Sequence, residues 1–281
     1  MKKTRKNFTL FEMLISVGLL IILAVVLLRT LALTTDYWKY SADQSEIYLN
    51  AKIVMGMLND DVSNMLYNKS PASNAKEVAV PLYTGEFSPS GYTWITSIND
   101  GNSKGWCLGM VSRTAMSKNH DPSHSNICKV AYIYYPPKLS GTHPLAGNSN
   151  IPGAENGVLL RGTQTENTDV YLEGSKSLTD FYKDAMSNSE QIADGIIEFR
   201  IDAFRKSGTS YTRVDYAAGD AQKGLSNIDA LRLTMTMMTE DKLAEYRKMV
   251  EDNASADEKR DFIRKHGRRF NRTYWVNPTG N

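Results

Sequence analysis

Glu12 is the residue whose chemistry stands out. It is the one charge in an apolar run from Phe8 to Leu28, FTLFEMLISVGLLIILAVVLL. A carboxylate inside a membrane-length helix costs about 2.5 kcal/mol or more, and usually has a cationic partner. Other residues invite chemical readings. Cys107, His120, His124 and Cys128 have the spacing C-x12-H-x3-H-x3-C, which can be drawn as a zinc site. Yet His120-Asp121-Pro122-Ser123-His124 reads as a polar loop, so no metal is expected. Asn99-Asp100-Gly101 carries the signature of a tight turn, and lacks the further carboxylates and closing Glu of a calcium loop. There is no G-x-S-x-G, no H-E-x-x-H and no phosphate-binding glycine loop. The chain therefore reads as a non-enzyme, with no catalytic residue and no cofactor.

The element that positions Glu12 is a long helix. Lys2, Lys3, Arg5 and Lys6 precede the apolar run, and Arg29 then Asp36 follow it. The positive-inside rule places the basic end in the cytoplasm and the bulk of the chain outside it. A secretory signal would have a shorter apolar region closed by a small-x-small site. After Ala24 come Val25, Val26, Leu27, Leu28 and Arg29, with no such site. The helix should continue beyond the membrane. Ile47, Ala51, Val54, Leu58, Val62 and Met65 recur in steps of four and three, which marks one helical face. Asp43, Glu46, Lys52, Asp60 and Ser63 occupy the other. Asn68, Lys69, Ser70 and Pro71 supply a stop. From Phe8 to Leu66 this helix would be about 88 Å long.

Beyond Pro71 the pattern is β-rich. Val130, Tyr132 and Tyr134 alternate with Ala131, Ile133 and Tyr135. Gly157 to Arg161 forms a short apolar strand. Ile197, Phe199, Ile201 and Ala203 alternate with Glu198, Arg200 and Asp202. Leu231, Leu233, Met235 and Met237 alternate with Arg232, Thr234 and Thr236. Each alternation predicts a strand with one buried face. Residues 138–156 read as a Gly/Pro/Asn-rich loop. Residues 240–266 read as an exposed helical insertion, with Ser255 and Glu258 at capping-box spacing, before a last strand from Arg269 to Val276. Trp94 and Trp106 are expected to pack in the core. Cys107 and Cys128 each border a strand and lie outside the cytoplasm on this topology. A cross-strand disulfide is expected there, two buried free thiols being the other reading.

Composition limits the function classes. The chain has 281 residues, 41% of them hydrophobic, enough to bury a sizeable core. Its net charge is +2, and residues 1–7 supply four of the positives. Without them the balance is 29 basic to 31 acidic residues, or −2. Nucleic-acid binding has no support in that balance.

Phe8-Thr9-Leu10-Phe11-Glu12-Met13 after a basic leader resembles the class III signal of type IV prepilins and pseudopilins. Counted from Phe8, Glu12 is fifth, as in that family. The family places Gly before the cut; this chain has Asn7. The resemblance implies cleavage by a prepilin peptidase between Asn7 and Phe8, N-methylation of Phe8, and a role for Glu12 in assembly and register. Later pieces resemble the J-type minor pseudopilin of type II secretion systems. These are an Asp-rich turn at Leu58-Asn59-Asp60-Asp61-Val62, then Val130-Ala131-Tyr132 and Leu159-Leu160-Arg161. Asp194-Gly195-Ile196-Ile197-Glu198-Phe199 and Asn227 to Met235 complete the order.

The implied fold class is α+β and pilin-like, a long N-terminal helix packed on a β-rich head. The implied organisation is a leader over 1–7, a transmembrane or fibre-core helix over 8–29, its amphipathic continuation over 30–70, and a head over 71–281. The implied location is the bacterial inner membrane, crossed once, with the head in the periplasm. The implied function is structural, at the tip of a pseudopilus. The implied partners are the prepilin peptidase, other minor pseudopilins, the major pseudopilin and the membrane. A minor pilin of a type IV pilus, displaying an adhesive or ligand-binding head, is the other reading.

Overall fold

A computed structural model of the chain describes residues 10–66, 82–86, 106–113, 128–137, 156–165, 189–214 and 228–276. The expected loop at 138–156 lies outside them save for Asn156, as do Trp94, His120, His124 and the turn at Asn99-Asp100-Gly101. The chain divides into two compact units, one reaching to Glu46 and one starting at Ile47. The fold class is α+β, a long N-terminal helix and antiparallel sheets.

Helix α1 is Leu10–Ser63, 54 residues, or about 81 Å. In the second unit its predicted stripe is the buried one. Ile47, Ala51, Val54, Leu58, Val62 and Met65 all enter the main hydrophobic cluster. The helix ends earlier than Asn68–Pro71 because its backbone is taken over by a sheet. Leu66 N–H donates to the Val111 carbonyl at 2.9 Å, Arg113 N–H donates to the Asn64 carbonyl at 2.9 Å, and Met65 bridges Ser112. Leu58 to Val62, a turn in the family resemblance, is helical, as the apolar stripe through Leu58 and Val62 predicts.

The first sheet has five antiparallel strands in sequence order: β1 (Tyr83–Glu86), β2 (Trp106–Ser112), β3 (Cys128–Tyr135), β4 (Val158–Thr165) and β5 (Ser189–Ala193). The second has β6 (Ile196–Ser207), β7 (Ser210–Val214), β8 (Ala230–Met237) and β9 (Arg268–Trp275) in the order β7-β6-β8-β9. The chain passes from one sheet to the other at Asp194-Gly195. Gly195 has φ +66°, and a Cβ there would lie 2.8 Å from the Met238 carbonyl oxygen, so only glycine fits this corner. The inner faces of both sheets and the α1 stripe share one core. Trp106 packs in it and donates its indole N–H to the Ile201 carbonyl at 3.2 Å.

β3 departs from the expected one-faced pattern, and it and β2 are buried on both faces. Alternation along a strand identifies two faces but does not show that one is wet.

The charged segment at 240–266 is two helices, α2 (Glu240–Glu251) and α3 (Ala256–His266). Ser255 and Glu258 form the predicted capping box. Leu243 and Tyr246 of α2 bury against Ile197 and Met238, with Phe262 and Ile263 of α3 packed on that cluster.

Three phenols are held against ionisation. Burial, then the charge of Asp61, pushes Tyr132 well up. Burial, then the charges of Glu198 and Tyr246, does the same for Tyr134. Burial raises Tyr274 from 10 to about 12 against the opposing charge of Arg272, and its hydroxyl donates to the Met55 carbonyl at 3.2 Å. For groups shifted upward, the stabilising contribution is complete below the unfolded value and is lost as pH rises through the folded one. Stability should therefore hold to about pH 10 and fall between there and about 12. Spectroscopic titration of phenolate should show these rings ionising late, together with loss of tertiary structure. Ionisation of every tyrosine near 10 in a still-folded protein would contradict this.

Candidate functional site

Two regions carry functional chemistry: the apolar half of α1, and the place where α1 ends on the first sheet. The apolar half is exposed from Leu10 onward, including Phe11, Leu14, Leu20, Leu23 and Leu28. Among the described residues α1 is the one helix long and apolar enough to cross a membrane, by length and composition. Glu12 lies in its first turn. Ser16 Oγ donates to the Glu12 main-chain carbonyl at 2.7 Å, so this hydroxyl is satisfied inside the helix, as an apolar surrounding requires. Asn7 and Phe8 lie outside the described residues.

The other end of α1 holds an ion pair that sequence reasoning did not single out. Asp61 is 1% exposed and Arg161 of β4 is 5% exposed. The guanidinium grips the carboxylate with both arms, Nε to Oδ2 and Nη2 to Oδ1, each at 2.9 Å. Tyr132 of β3 donates its hydroxyl to Oδ2. Ser112 of β2 donates to the Asp61 main-chain carbonyl at 2.9 Å. Three strands thus converge on one helical residue. Burial alone would lower the Arg161 pKa, but the hydrogen bond and charge of Asp61, followed by Tyr132, hold it above the ordinary value. The group is a permanent cation in a pocket with a fitted anion. Such a fork fixes geometry as well as charge. It sets the axial position of α1 against the first sheet.

The cysteines are not joined. Cys107 and Cys128 are both buried, and no disulfide joins them. They lie on neighbouring strands, but Cys107 pairs with Ile133 and Cys128 with Ser112. Five residues of register, about 17 Å, separate them. They also face opposite sides of the sheet: Cys128 lies in the core row with Val130 and Tyr132, and Cys107 in the other. A bridge requires Cα atoms within about 7 Å. Cysteine spacing counts residues but does not reveal register. Burial raises the Cys128 thiol pKa, with Arg161 opposing. We expect alkylation of the unfolded, unreduced protein to label both cysteines, and of the native protein neither. Protection of both in the unfolded chain would restore the bridge.

Among the described residues no cluster of three or more His, Cys, Asp or Glu side chains has the arrangement of a metal site.

No family model matches the sequence, and no curated protein matches it. A crystal structure of the GspK-GspI-GspJ complex from the type 2 secretion system of enterotoxigenic Escherichia coli is similar at 12% identity. The match spans 83% of this chain and 99% of that one, with a TM-score of 0.37.

Proposed function

We propose that this chain is a minor pseudopilin, a structural subunit that helps initiate assembly at the tip of a pseudopilus in type II secretion. It performs no catalysis. One observation carries the reading: a single helix begins as an exposed apolar rod with a carboxylate in its first turn, and ends as a core element of a β-rich unit. An apolar rod of that length suits lipid, or the packed helices of a fibre core. In this reading residues 1–7 are a leader, 8–29 the membrane or fibre-core helix, 30–70 its amphipathic continuation and 71–281 the periplasmic head. A prepilin peptidase cuts between Asn7 and Phe8 and the new amine of Phe8 is methylated. Glu12 then meets such an amine during assembly with other minor pseudopilins and the major pseudopilin.

Intact-mass analysis of protein extracted from the inner membrane tests the processing. The expected chain starts at Phe8 and carries one methyl group. A mature chain that retains Met1 to Asn7 would favour a plain signal anchor.

A further inference from the structure

We infer that Tyr37, Trp38 and Tyr40 form an anchor in the outer lipid headgroup layer, and that this anchor holds Glu12 in the inner headgroup layer rather than in hydrocarbon. The inference rests on α1 entering the membrane, as proposed above. The three rings follow closely on the apolar run and are 72%, 72% and 55% exposed. Aromatic residues with a polar handle concentrate at membrane–water interfaces. Lys39 stands among them and Asp36 just before them, as befits a wet boundary.

The segment between the apolar run and the rings is compatible with lipid. Leu31 and Leu33 are exposed. Thr30, Thr34 and Thr35 donate their hydroxyls to the carbonyls of Val26, Thr30 and Leu31 at 2.8–2.9 Å. Each of these donors is thus satisfied within the helix, which lipid demands. Arg29 is the one charge between Leu28 and Thr35; Asp36 lies at the boundary.

Axial distances then decide where Glu12 sits. From Glu12 to Trp38 the helix rises about 39 Å. A bilayer is about 30 Å thick in hydrocarbon and about 40–45 Å with its headgroups. With the rings at the outer interface, hydrocarbon covers roughly Ser16 to Thr35, and Glu12 falls about 6 Å beyond it. The opposing placement sets Arg29 at the outer boundary. Glu12 would then lie about 25 Å below it, inside the hydrocarbon, and three exposed rings would stand in water. That placement moves one charge out of lipid at the expense of the other, and forfeits the aromatic anchor. The first placement leaves only Arg29 inside, with a long side chain that can bend its head toward a polar layer.

The test uses the full chain reconstituted in phospholipid vesicles. Phe11→Cys and Leu20→Cys are treated with a water-soluble maleimide present on both sides. The unmodified protein, whose two cysteines are buried, supplies the background. Trp38 emission is read as the difference between the parent and Trp38→Phe, with quenchers placed at headgroup depth, at mid-chain depth and in water. We expect Leu20→Cys to be protected, Phe11→Cys to react several-fold faster, and Trp38 to be quenched most at headgroup depth. Equal protection of Phe11→Cys and Leu20→Cys, or quenching of Trp38 mainly from water or from mid-chain, overturns the depth assignment and leaves the membrane reading standing. Free reaction of Leu20→Cys overturns the membrane reading itself.

Discussion

Asp61→Ala is expected to destabilise the second unit by about 3–5 kcal/mol, the usual cost of removing one member of a buried ion pair. The loss is not the Coulomb energy of the pair. It is the cost of a guanidinium that stays buried with its fitted anion gone, together with the lost acceptor for Tyr132. Arg161 has no cheap escape by deprotonation, because arginine remains charged at any pH a protein survives. Replacing both members is a different experiment. A well-packed apolar pair in place of a buried salt bridge is often neutral or stabilising. Asp61→Leu with Arg161→Met should therefore cost much less than the two single changes added together. Urea unfolding of the detergent-solubilised full chain, followed by tryptophan emission, gives all the values needed. A cost for Asp61→Ala of no more than the ~1 kcal/mol of an exposed pair would show that the carboxylate is not a structural lock. The contrast within the molecule is the Arg260–Asp257 pair on α3, with both side chains largely exposed; charge reversal there should hardly register.

This pair also shows what the sequence disclosed and what it withheld. The stripe Ile47, Ala51, Val54, Leu58, Val62, Met65 was legible because a helix repeats every 3.6 residues and a core selects one side. Asp61 stands on that same stripe, three residues after Leu58 and seven after Val54. A carboxylate at a core phase of a helix was a visible signal. Its partner was visible too: Arg161 follows Leu159 by two, so it shares the inner face of β4. The pairing itself was not visible, since it depends on which strands lie beneath the helix end. Register is the same kind of non-local fact. It separates Cys107 from Cys128 although each was placed beside the right strand. Strands β1, β5 and β7 were missed for a related reason. β7 is exposed over most of its length, so it shows no alternation between core and solvent, and it exists because β6 offers an edge through a turn at Gly208, φ +62°. The aromatic residues at 37–40 carried a readable interfacial signal that a search for apolar periodicity passes over.

Glu12→Gln is expected to leave membrane insertion and processing intact and to reduce recruitment into assemblies by roughly a hundredfold or more. The substitution keeps size and shape and removes only the charge. On the membrane placement inferred above, Glu12 lies in the headgroup layer before assembly, where its charge is solvated and costs little. In the proposed assembly the helix moves into a fibre, where its apolar surface would pack against other helices and the carboxylate would leave water. It is then tolerable only beside a cation, and the proposed cleavage before Phe8 would supply one as the amine of a neighbouring subunit. The two groups meet only when the helices are in the correct axial position, so the pair selects register as well as attracting. Replacing the carboxylate leaves the amine unpaired in an apolar setting. At about 3 kcal/mol or more for a broken buried pair, and about 1.4 kcal/mol for each tenfold in an equilibrium constant, the association weakens by about two orders of magnitude. Co-purification of tagged Glu12→Gln with the other minor pseudopilins, beside secretion measured in the same cells, tests this directly. Wild-type recovery and wild-type secretion from a correctly processed Glu12→Gln chain would remove the carboxylate from the assembly mechanism.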